Sequence, residues 1–203
     1  MSSPQYKLVY FNARGLAEAA RFIFAYSKVA YEDVRIEQEA WPALKSKTPF
    51  LQLPYLEING KPYGQSAAFT RLLAKKYKLA GTTDEEQAQV DAIVDYMKDV
   101  VASMIKWFTE KDEAVKAKLL EEFRTVSLPS QLDVLQQHLG KADYFVPSGP
   151  TFADFSVASM LFTIVKYFPG TLDKHPQLKE HMDRVHALPG IKEWVAKRPE
   201  SQN

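Results

Sequence analysis

The chain has 203 residues, 26 lysines and arginines against 25 aspartates and glutamates, 46% hydrophobic residues and no cysteine. This length allows one large domain or two small ones. The net charge of +1 is too small to create the positive field of a nucleic-acid-binding protein. The absence of cysteine excludes disulfides, thiolate metal sites and a protein thiol nucleophile. We find no secretory leader, membrane-spanning run or lipidation motif, so we expect a cytoplasmic protein without nucleic-acid or membrane partners.

Strand and helix signals alternate along the first 80 residues. The run Tyr6–Phe11 is typical of a buried strand, Leu16–Lys28 has helical spacing, and Tyr31–Ile36 predicts a second strand. A strand, a helix and a strand within about thirty residues predict a βαβ unit with parallel strands.

The next segment predicts a hairpin and another helix. Trp41-Pro42 opens a short helix, two strands meet at Asn59-Gly60, and a helix follows over Ala67–Lys78. The two hairpin strands are Tyr55–Ile58 and Lys61–Gly64. The order βαβ–ββα around four strands predicts an α/β thioredoxin-like domain over residues 1–80.

The strand signals stop before residue 84. Helical spacing then covers five segments that glycine and proline separate: Asp84–Glu110, Glu113–Leu139, Thr151–Phe168, Pro176–Ala187 and Ile191–Lys197. The sequence therefore predicts that a short linker, Leu79–Asp84, joins the α/β domain to an all-helical domain over residues 84–203.

Six segments carry a resemblance to a known family. They are YKLVYFNARG, WPALKSKTPF, LPYLEINGKPYGQS, VDAIVDYMKD, TFADF and WVAKRP, in the family's order and spacing along nearly the whole chain. The chain thereby resembles the cytosolic glutathione transferases, in particular the sigma class that includes the haematopoietic prostaglandin D isomerases. The resemblance implies the two-domain fold of that family, glutathione as co-substrate and a homodimer.

Tyr10 is the predicted catalytic residue. It stands at the carboxyl end of the first strand, where open α/β sheets place ligands, and a phenol hydroxyl there can donate a hydrogen bond that lowers a thiol pKa. Glutathione supplies the thiol. The resemblance implies that Arg14, in the following turn, shapes the electrostatics around the tyrosine and the thiolate, and a surface cation is the alternative. Where some members carry a second arginine, this chain has Leu16.

Two segments are expected to bind the middle and the γ-glutamyl end of glutathione. Leu53-Pro54 precedes the third strand, where thioredoxin-like folds hold a cis proline and pair the preceding backbone with the tripeptide, and a trans proline at the start of an edge strand is the alternative. Ser66 is a natural N-cap, and a helix N-terminus attracts a carboxylate. The resemblance implies that Gln65 and Ser66 bind the γ-glutamyl end.

Three further residues belong to the predicted glutathione site. Trp41 and Lys45 are four residues apart, so an indole N–H and a cation share one face of the short helix and suit the glycyl carboxylate. The alternative is that Trp41 only packs and Lys45 is a solvated charge. Gln52 stands where several relatives have lysine, so we expect one charge contact fewer with the tripeptide.

Asp91, Asp95 and Asp99 recur every four residues and form an acidic stripe on one helix face. The resemblance implies that Asp99 reaches across a dimer interface to the γ-glutamyl ammonium, and a solvated surface stripe is the alternative. Relatives that bind a divalent ion there have an acid where this chain has Lys98, so we expect no metal site.

The second substrate is expected to be a small apolar electrophile held between the two domains. Its predicted lining residues are Phe11, Val101, Met104 and Trp107. Two other patterns have structural interpretations. Thr151–Asp154 matches a capping box in which Asp replaces Glu or Gln. The histidines show no metal-ligand constellation and are expected at the surface or at helix ends.

Three functions remain open at this point. The leading hypothesis is conjugation of the glutathione thiolate to an apolar electrophile. The alternatives are glutathione-dependent isomerisation of a prostaglandin endoperoxide, and a non-catalytic role as a lens-crystallin-like protein or a carrier of apolar ligands. A glutaredoxin-type redox reaction is excluded, because it needs a cysteine where this chain has Asn12–Arg14.

Overall fold

A computed structural model describes residues 5–201 of the chain. Its N-terminal part contains, in chain order, β1 Tyr6–Phe11, α1 Glu18–Tyr26, β2 Glu32–Ile36, α2 Trp41–Leu44, β3 Tyr55–Ile58, β4 Lys61–Gly64 and α3 Ser66–Lys76. Short 3-10 turns connect these elements at Gly15–Ala17, Gln38–Ala40, Lys45–Lys47 and Pro49–Leu51.

The strands of this part form one mixed sheet in the order β2-β1-β3-β4. β1 pairs in parallel with β2 and antiparallel with β3, where Val9 lies opposite Tyr55. β3 pairs antiparallel with β4, where Tyr55 lies opposite Gly64. This is the predicted thioredoxin-like arrangement. Its register brings the carboxyl end of β1, the start of β3 and the end of β4 to one edge of the sheet, which we name the ligand edge.

The C-terminal part is helical. It contains α4 Asp84–Phe108, α5 Glu113–Glu122, α6 Leu128–Leu139, α7 Phe152–Tyr167, α8 Pro176–His186 and α9 Ile191–Lys197. The single helix expected over Glu113–Leu139 is interrupted by a π-helical segment, Phe123–Ser127. Pro129 explains the interruption, because a proline has no N–H to donate to the preceding turn. Among residues 5–201, no helix combines the length and the apolar character needed to cross a membrane.

The two parts share a core that centres on α7. The ring of Phe155 lies 6.2 Å from that of Phe22 and 5.7 Å from that of Tyr26, both on α1. The predicted linker is packed as well, since Leu79 is 4% exposed and its carbonyl accepts the N–H of Phe152 at 2.9 Å. The position of the helices relative to the ligand edge is therefore fixed by packing on both sides.

The capping box at the start of α7 is confirmed. Asp154 accepts the backbone N–H of Thr151 at 2.7 Å and its hydroxyl at 2.8 Å. The other oxygen of Asp154 lies 2.9 Å from Nε2 of His181, which is fully buried inside α8. The expectation of histidines only at the surface or at helix ends is therefore wrong for His181, since the buried carboxylate gives its imidazole a hydrogen-bond partner.

Candidate active site

Tyr10 lies near the end of β1, at the ligand edge. Burial raises the pKa of its hydroxyl, whereas the backbone N–H of Leu16 and the charge of Arg21 lower it, and the net direction is upward. The hydroxyl is therefore protonated at neutral pH and can donate a hydrogen bond. This is the protonation state that the predicted stabilisation of a thiolate requires.

The turn after β1 lies very close to the Tyr10 ring. Gly15 has a φ of +36°, and a Cβ built on it would lie 2.6 Å from the Tyr10 hydroxyl oxygen and 2.9 Å from the ring. Any side chain at this position would displace the tyrosine, so the close approach of the turn depends on glycine.

Arg14 is buried in the same turn. It is 3% exposed, its Nη1 donates to the carbonyl of Ser201 at 2.6 Å, and its guanidinium carbon lies 5.2 Å from the centre of the Phe162 ring. The interpretation of Arg14 as a surface cation is therefore wrong. The arginine whose charge lowers the Tyr10 pKa is Arg21, which the sequence analysis missed, and an influence of Arg14 on the thiolate stays a prediction.

The segments predicted to hold glutathione converge at the ligand edge. The Leu53–Pro54 peptide bond is cis and directly precedes β3. Gln65 and Ser66 directly follow β4, and Gln65 donates its side-chain Nε2 to Oε1 of Gln52 at 3.0 Å. The edge therefore combines a cis-proline turn with a pair of side-chain amides.

The start of α3 differs from the prediction by one residue. The cap position is Gln65, and Ser66 is the first helical residue. Gln65 has a φ of +65°, which is uncommon for a residue with a side chain and typical of strained functional positions. No side chain among residues 5–201 caps this helix, so its N-terminal N–H groups face the ligand edge without a side-chain partner.

Trp41 borders the ligand edge through Phe11. The two rings lie 5.8 Å apart in an edge-to-face arrangement, and Phe11 is the last residue of β1. Lys45 follows α2 and is exposed. The structure thus places Phe11 beside Trp41, and a role of Phe11 in the second-substrate site stays a prediction.

An apolar cleft opens beside Tyr10, between the β1–α1 turn and helices α4 and α7. It encloses about 710 Å³, including its open mouth. Its lining residues are Tyr10, Gly15, Leu16, Val101, Met104, Ile105, Phe108, Ser159, Met160, Thr163 and Tyr167. The predicted residues Val101 and Met104 are among them, and Leu16 makes the turn side of the cleft apolar.

The prediction of Trp107 as a lining residue is wrong. Trp107 is 6% exposed, and its ring lies 6.2 Å from that of Phe123 and 6.1 Å from that of Phe168, inside the helical domain. Successive residues of an α-helix point about 100° apart. The next residue, Phe108, therefore faces the cleft, and the helical spacing from Val101 is the signal that could have identified it.

The acidic stripe of α4 is paired with cations over most of its length. Arg71 on α3 lies 2.7 Å from Asp91, and Lys98 lies 2.7 Å from Asp95. Asp99 is exposed and forms no ion pair with any residue between 5 and 201. Asp99 is therefore open to a ligand from outside the subunit, as its predicted role requires.

Family models match both parts of the chain. The model described as the glutathione S-transferase N-terminal domain matches residues 6–75, and the model of the C-terminal domain matches residues 98–198. The chain is 42% identical to glutathione S-transferase 1 of Ascaris suum over 203 residues, which cover 98% of both chains. The chain belongs to the glutathione S-transferase family.

This transferase also matches solved structures along nearly its whole length. The structure described as rat hPGDS complexed with a quinoline has a TM-score of 0.93 and 38% identity, covering 98% of this chain and 100% of that one. The glutathione S-transferase of Ascaris lumbricoides has a TM-score of 0.90 and 41% identity, again covering 98% and 100%.

A second group of relatives has a different name. Hematopoietic prostaglandin D synthase of Homo sapiens is 41% identical over 199 residues, which cover 98% of this chain and 99% of that protein. Family membership makes this protein an enzyme, a transferase that uses glutathione. The hypothesis of a non-catalytic carrier is set aside on this ground.

Proposed function

We propose that this transferase is a sigma-class enzyme of the cytoplasm that conjugates the glutathione thiolate to small apolar electrophiles, a reaction suited to detoxification. The position of Tyr10 carries the proposal. Its protonated hydroxyl lies at the polar ligand edge, and the same residue lines the apolar cleft. A thiolate held at this hydroxyl would therefore face the place where an apolar molecule is bound.

In the proposed complex, glutathione lies along the ligand edge. Trp41 and Lys45 bind its glycyl carboxylate, the backbone of Leu53 beside cis-Pro54 pairs with its peptide group, and Gln65 and Ser66 bind its γ-glutamyl end. The uncapped N-terminus of α3 supports the last assignment, because free N–H groups and the helix dipole attract a carboxylate. Gln52 contributes by holding the Gln65 amide.

The proposed chemistry depends on the thiol pKa. The thiol of a free cysteine has a pKa of about 8.5, and only the thiolate is a good nucleophile. A hydrogen bond from the Tyr10 hydroxyl stabilises the thiolate, and the thiol proton is released to water. The sulfur then attacks the electrophilic carbon in the cleft, the carbon–sulfur bond forms, and the leaving group departs with its electron pair. The enzyme contributes a stabilised nucleophile and the orientation of the two substrates.

We further propose a homodimer in which Asp99 binds the γ-glutamyl ammonium of the glutathione held by the partner subunit. Asp99 is exposed and has no ion pair within the described part of the chain, which supports this role, and the pairing of Asp91 and Asp95 with cations supports a site without metal. Asp99→Asn is expected to weaken glutathione binding several-fold in a dimer that stays folded. Sedimentation that shows a wild-type monomer with full glutathione affinity would refute the shared site.

Tyr10→Phe tests the proposed chemistry. The substitution removes one hydroxyl, so we expect kcat to fall at least about tenfold while the KM for glutathione changes less than about twofold. The ultraviolet absorbance of bound thiolate at neutral pH should fall in parallel. Tyr77→Phe is a matched control, because the Tyr77 hydroxyl bonds to that of Tyr6 and lies outside the cleft. An unchanged kcat in Tyr10→Phe would disprove the role of the tyrosine.

Isomerisation of a prostaglandin endoperoxide is the second candidate. The observation in its favour is the 41% identity to the human synthase, close to the 42% identity to the Ascaris transferase. The two reactions differ in their consumption of glutathione, since conjugation uses one molecule for each product and isomerisation returns it. Product formation from an endoperoxide without net loss of glutathione thiol would establish the second activity.

A further inference from the structure

A fully buried arginine supports the β1–α1 turn from inside the protein. Arg21 on α1 is 0% exposed, and its Nη1 donates to the carbonyl of Ala13 at 2.7 Å and lies 3.4 Å from that of Arg14. Ala13 and Arg14 directly precede Gly15 and Leu16. The arginine therefore holds the backbone of the segment that contacts Tyr10.

Two carboxylates fix the guanidinium in this position. Its Nε donates to Asp33 at 3.0 Å, and its Nη1 donates to Glu18 at 3.0 Å. Glu18 is also fully buried, and its other oxygen accepts Trp194 Nε1 at 2.9 Å and Arg198 Nη1 at 2.7 Å. Burying these charges costs free energy that an apolar core would not. Their presence here therefore suggests a role other than packing.

The same turn also lies against Tyr10. Gly15 lies so close to Tyr10 that a Cβ built on it would be 2.6 Å from the hydroxyl oxygen, and the backbone N–H of Leu16 lowers the pKa of that hydroxyl. A backbone N–H beside a hydroxyl limits its orientation and makes it a better donor to a second group. Movement of the turn by a fraction of an ångström would alter both contacts.

We propose that Arg21 is a positioning residue for Tyr10: by binding the carbonyls of Ala13 and Arg14, it fixes the turn that holds the Tyr10 hydroxyl toward the glutathione sulfur. The inference rests on the proposed function of Tyr10. Arginine suits the role because its planar fork binds carboxylates and a carbonyl in several directions at once, whereas a lysine ammonium is a single point charge.

Titration of the thiol of bound glutathione, followed by ultraviolet absorbance, tests the proposal in four dimeric enzymes: the wild type, Arg21→Lys, Tyr10→Phe and the double variant. Arg21→Lys keeps the charge and loses the fork, so we expect the thiol pKa to rise by about 0.5–1 pH units. Tyr10→Phe should raise it at least as much. The double variant should equal Tyr10→Phe, because a residue that acts through the hydroxyl has no effect once the hydroxyl is gone.

Trp194→Phe is the control for a general loosening of the buried cluster. It removes one donor to Glu18 and leaves the contacts of Arg21 with the turn in place. We expect a lower melting temperature and an unchanged thiol pKa. If Trp194→Phe raises the thiol pKa as much as Arg21→Lys, the effect is one of stability and the proposal fails.

The remaining outcomes separate the inference from the proposed function. A wild-type thiol pKa in Arg21→Lys, or an equal rise with and without the Tyr10 hydroxyl, would overturn the inference alone. A wild-type thiol pKa in Tyr10→Phe would overturn both.

If Arg21→Lys does not fold, Asp33→Asn replaces it, since the Asp33 side chain is 18% exposed and the change keeps its shape. Asp33→Asn should cause a smaller rise that disappears in Tyr10→Phe, and an unchanged thiol pKa would refute the proposal.

Discussion

The proposed glutathione half of the site and the proposed electrophile half are built from different parts of the chain. The first is backbone at a sheet edge: the cis Leu53–Pro54 bond, Gln65 with a positive φ, and the uncapped start of α3. The second is the apolar face of two helices, with Met104 and Phe108 among its residues. Backbone groups at fixed angles recognise one ligand of fixed structure, whereas apolar surface has no direction and accepts many shapes. The comparison predicts strict selection of glutathione and a broad choice of electrophile.

The largest expected effect tests which of two neighbouring aromatic residues of α4 belongs to the core and which belongs to the proposed electrophile half. Trp107→Ala should lower the free energy of unfolding by about 3–5 kcal/mol, because it leaves a cavity in the helical domain. Phe108 is 48% exposed, so Phe108→Ala should lower it by less than about 1 kcal/mol. Only Phe108→Ala should raise the KM for an aromatic electrophile without changing that for glutathione.

Denaturant unfolding and steady-state kinetics on both variants give the comparison, and each variant is the control for the other. Equal losses of stability in the two variants would contradict the assigned helix register. An unchanged electrophile KM in Phe108→Ala would remove Phe108 from the site.

A smaller effect is expected from the strained backbone of the glutathione half. Gln65→Gly removes the side chain and suits the φ of +65°. We expect glutathione affinity to fall about three- to tenfold, and the free energy of unfolding to change by less than about 1 kcal/mol. Asn59→Gly is the matched control, because Asn59 has a φ of +51° in the β3–β4 turn, outside the site. Isothermal titration that finds the same affinity in both variants would show that Gln65 does not bind glutathione.

The difference between local sequence signals and contacts with distant residues explains which features of the fold could be predicted from the sequence. β1, β3 and β4 begin and end at the predicted residues, and β2 begins one residue later than predicted. Apolar runs and turn residues are local signals, so these strands could be located without knowledge of their neighbours. The cis bond at Pro54, which the structure confirms, and the role of Tyr10, which stays a prediction, were predicted from the resemblance of their segments to a known family and fold.

Features that depend on distant contacts were missed. From the sequence alone, Arg21 resembles a surface cation on an amphipathic helix. Its buried environment depends on Asp33 and on Glu18, whose carboxylate accepts Trp194 of α9 and Arg198, which follows α9. One local signal was available. Glu18 and Arg21 form an i,i+3 charge pair on the side of α1 that also carries apolar residues, and such a pair on an apolar face indicates a buried cluster. The inward orientation of Trp107 likewise depends on partners that lie outside α4.

The last prediction is that magnesium has no effect at the acidic stripe of α4, next to the proposed glutathione site. Magnesium requires several oxygen ligands in near-octahedral geometry, and the α4 stripe offers carboxylates. Arg71 and Lys98 already lie 2.7 Å from Asp91 and Asp95, respectively, and a cation would have to displace them against their own positive charge. We therefore expect millimolar magnesium to change neither the KM for glutathione nor the conjugation rate, relative to potassium chloride at equal ionic strength.

Lys98→Glu makes this prediction informative in both directions. The substitution removes the ammonium and adds a carboxylate beside Asp95, so this variant should acquire a magnesium-dependent decrease in the KM for glutathione. Lys116→Glu, which also reverses one lysine charge but on α5, should remain indifferent to magnesium. A magnesium-dependent decrease in the wild type would show that the stripe binds an ion despite both cations. Glutathione binding beside the acidic stripe would then depend on a metal, and the isomerase candidate would gain support over general conjugation.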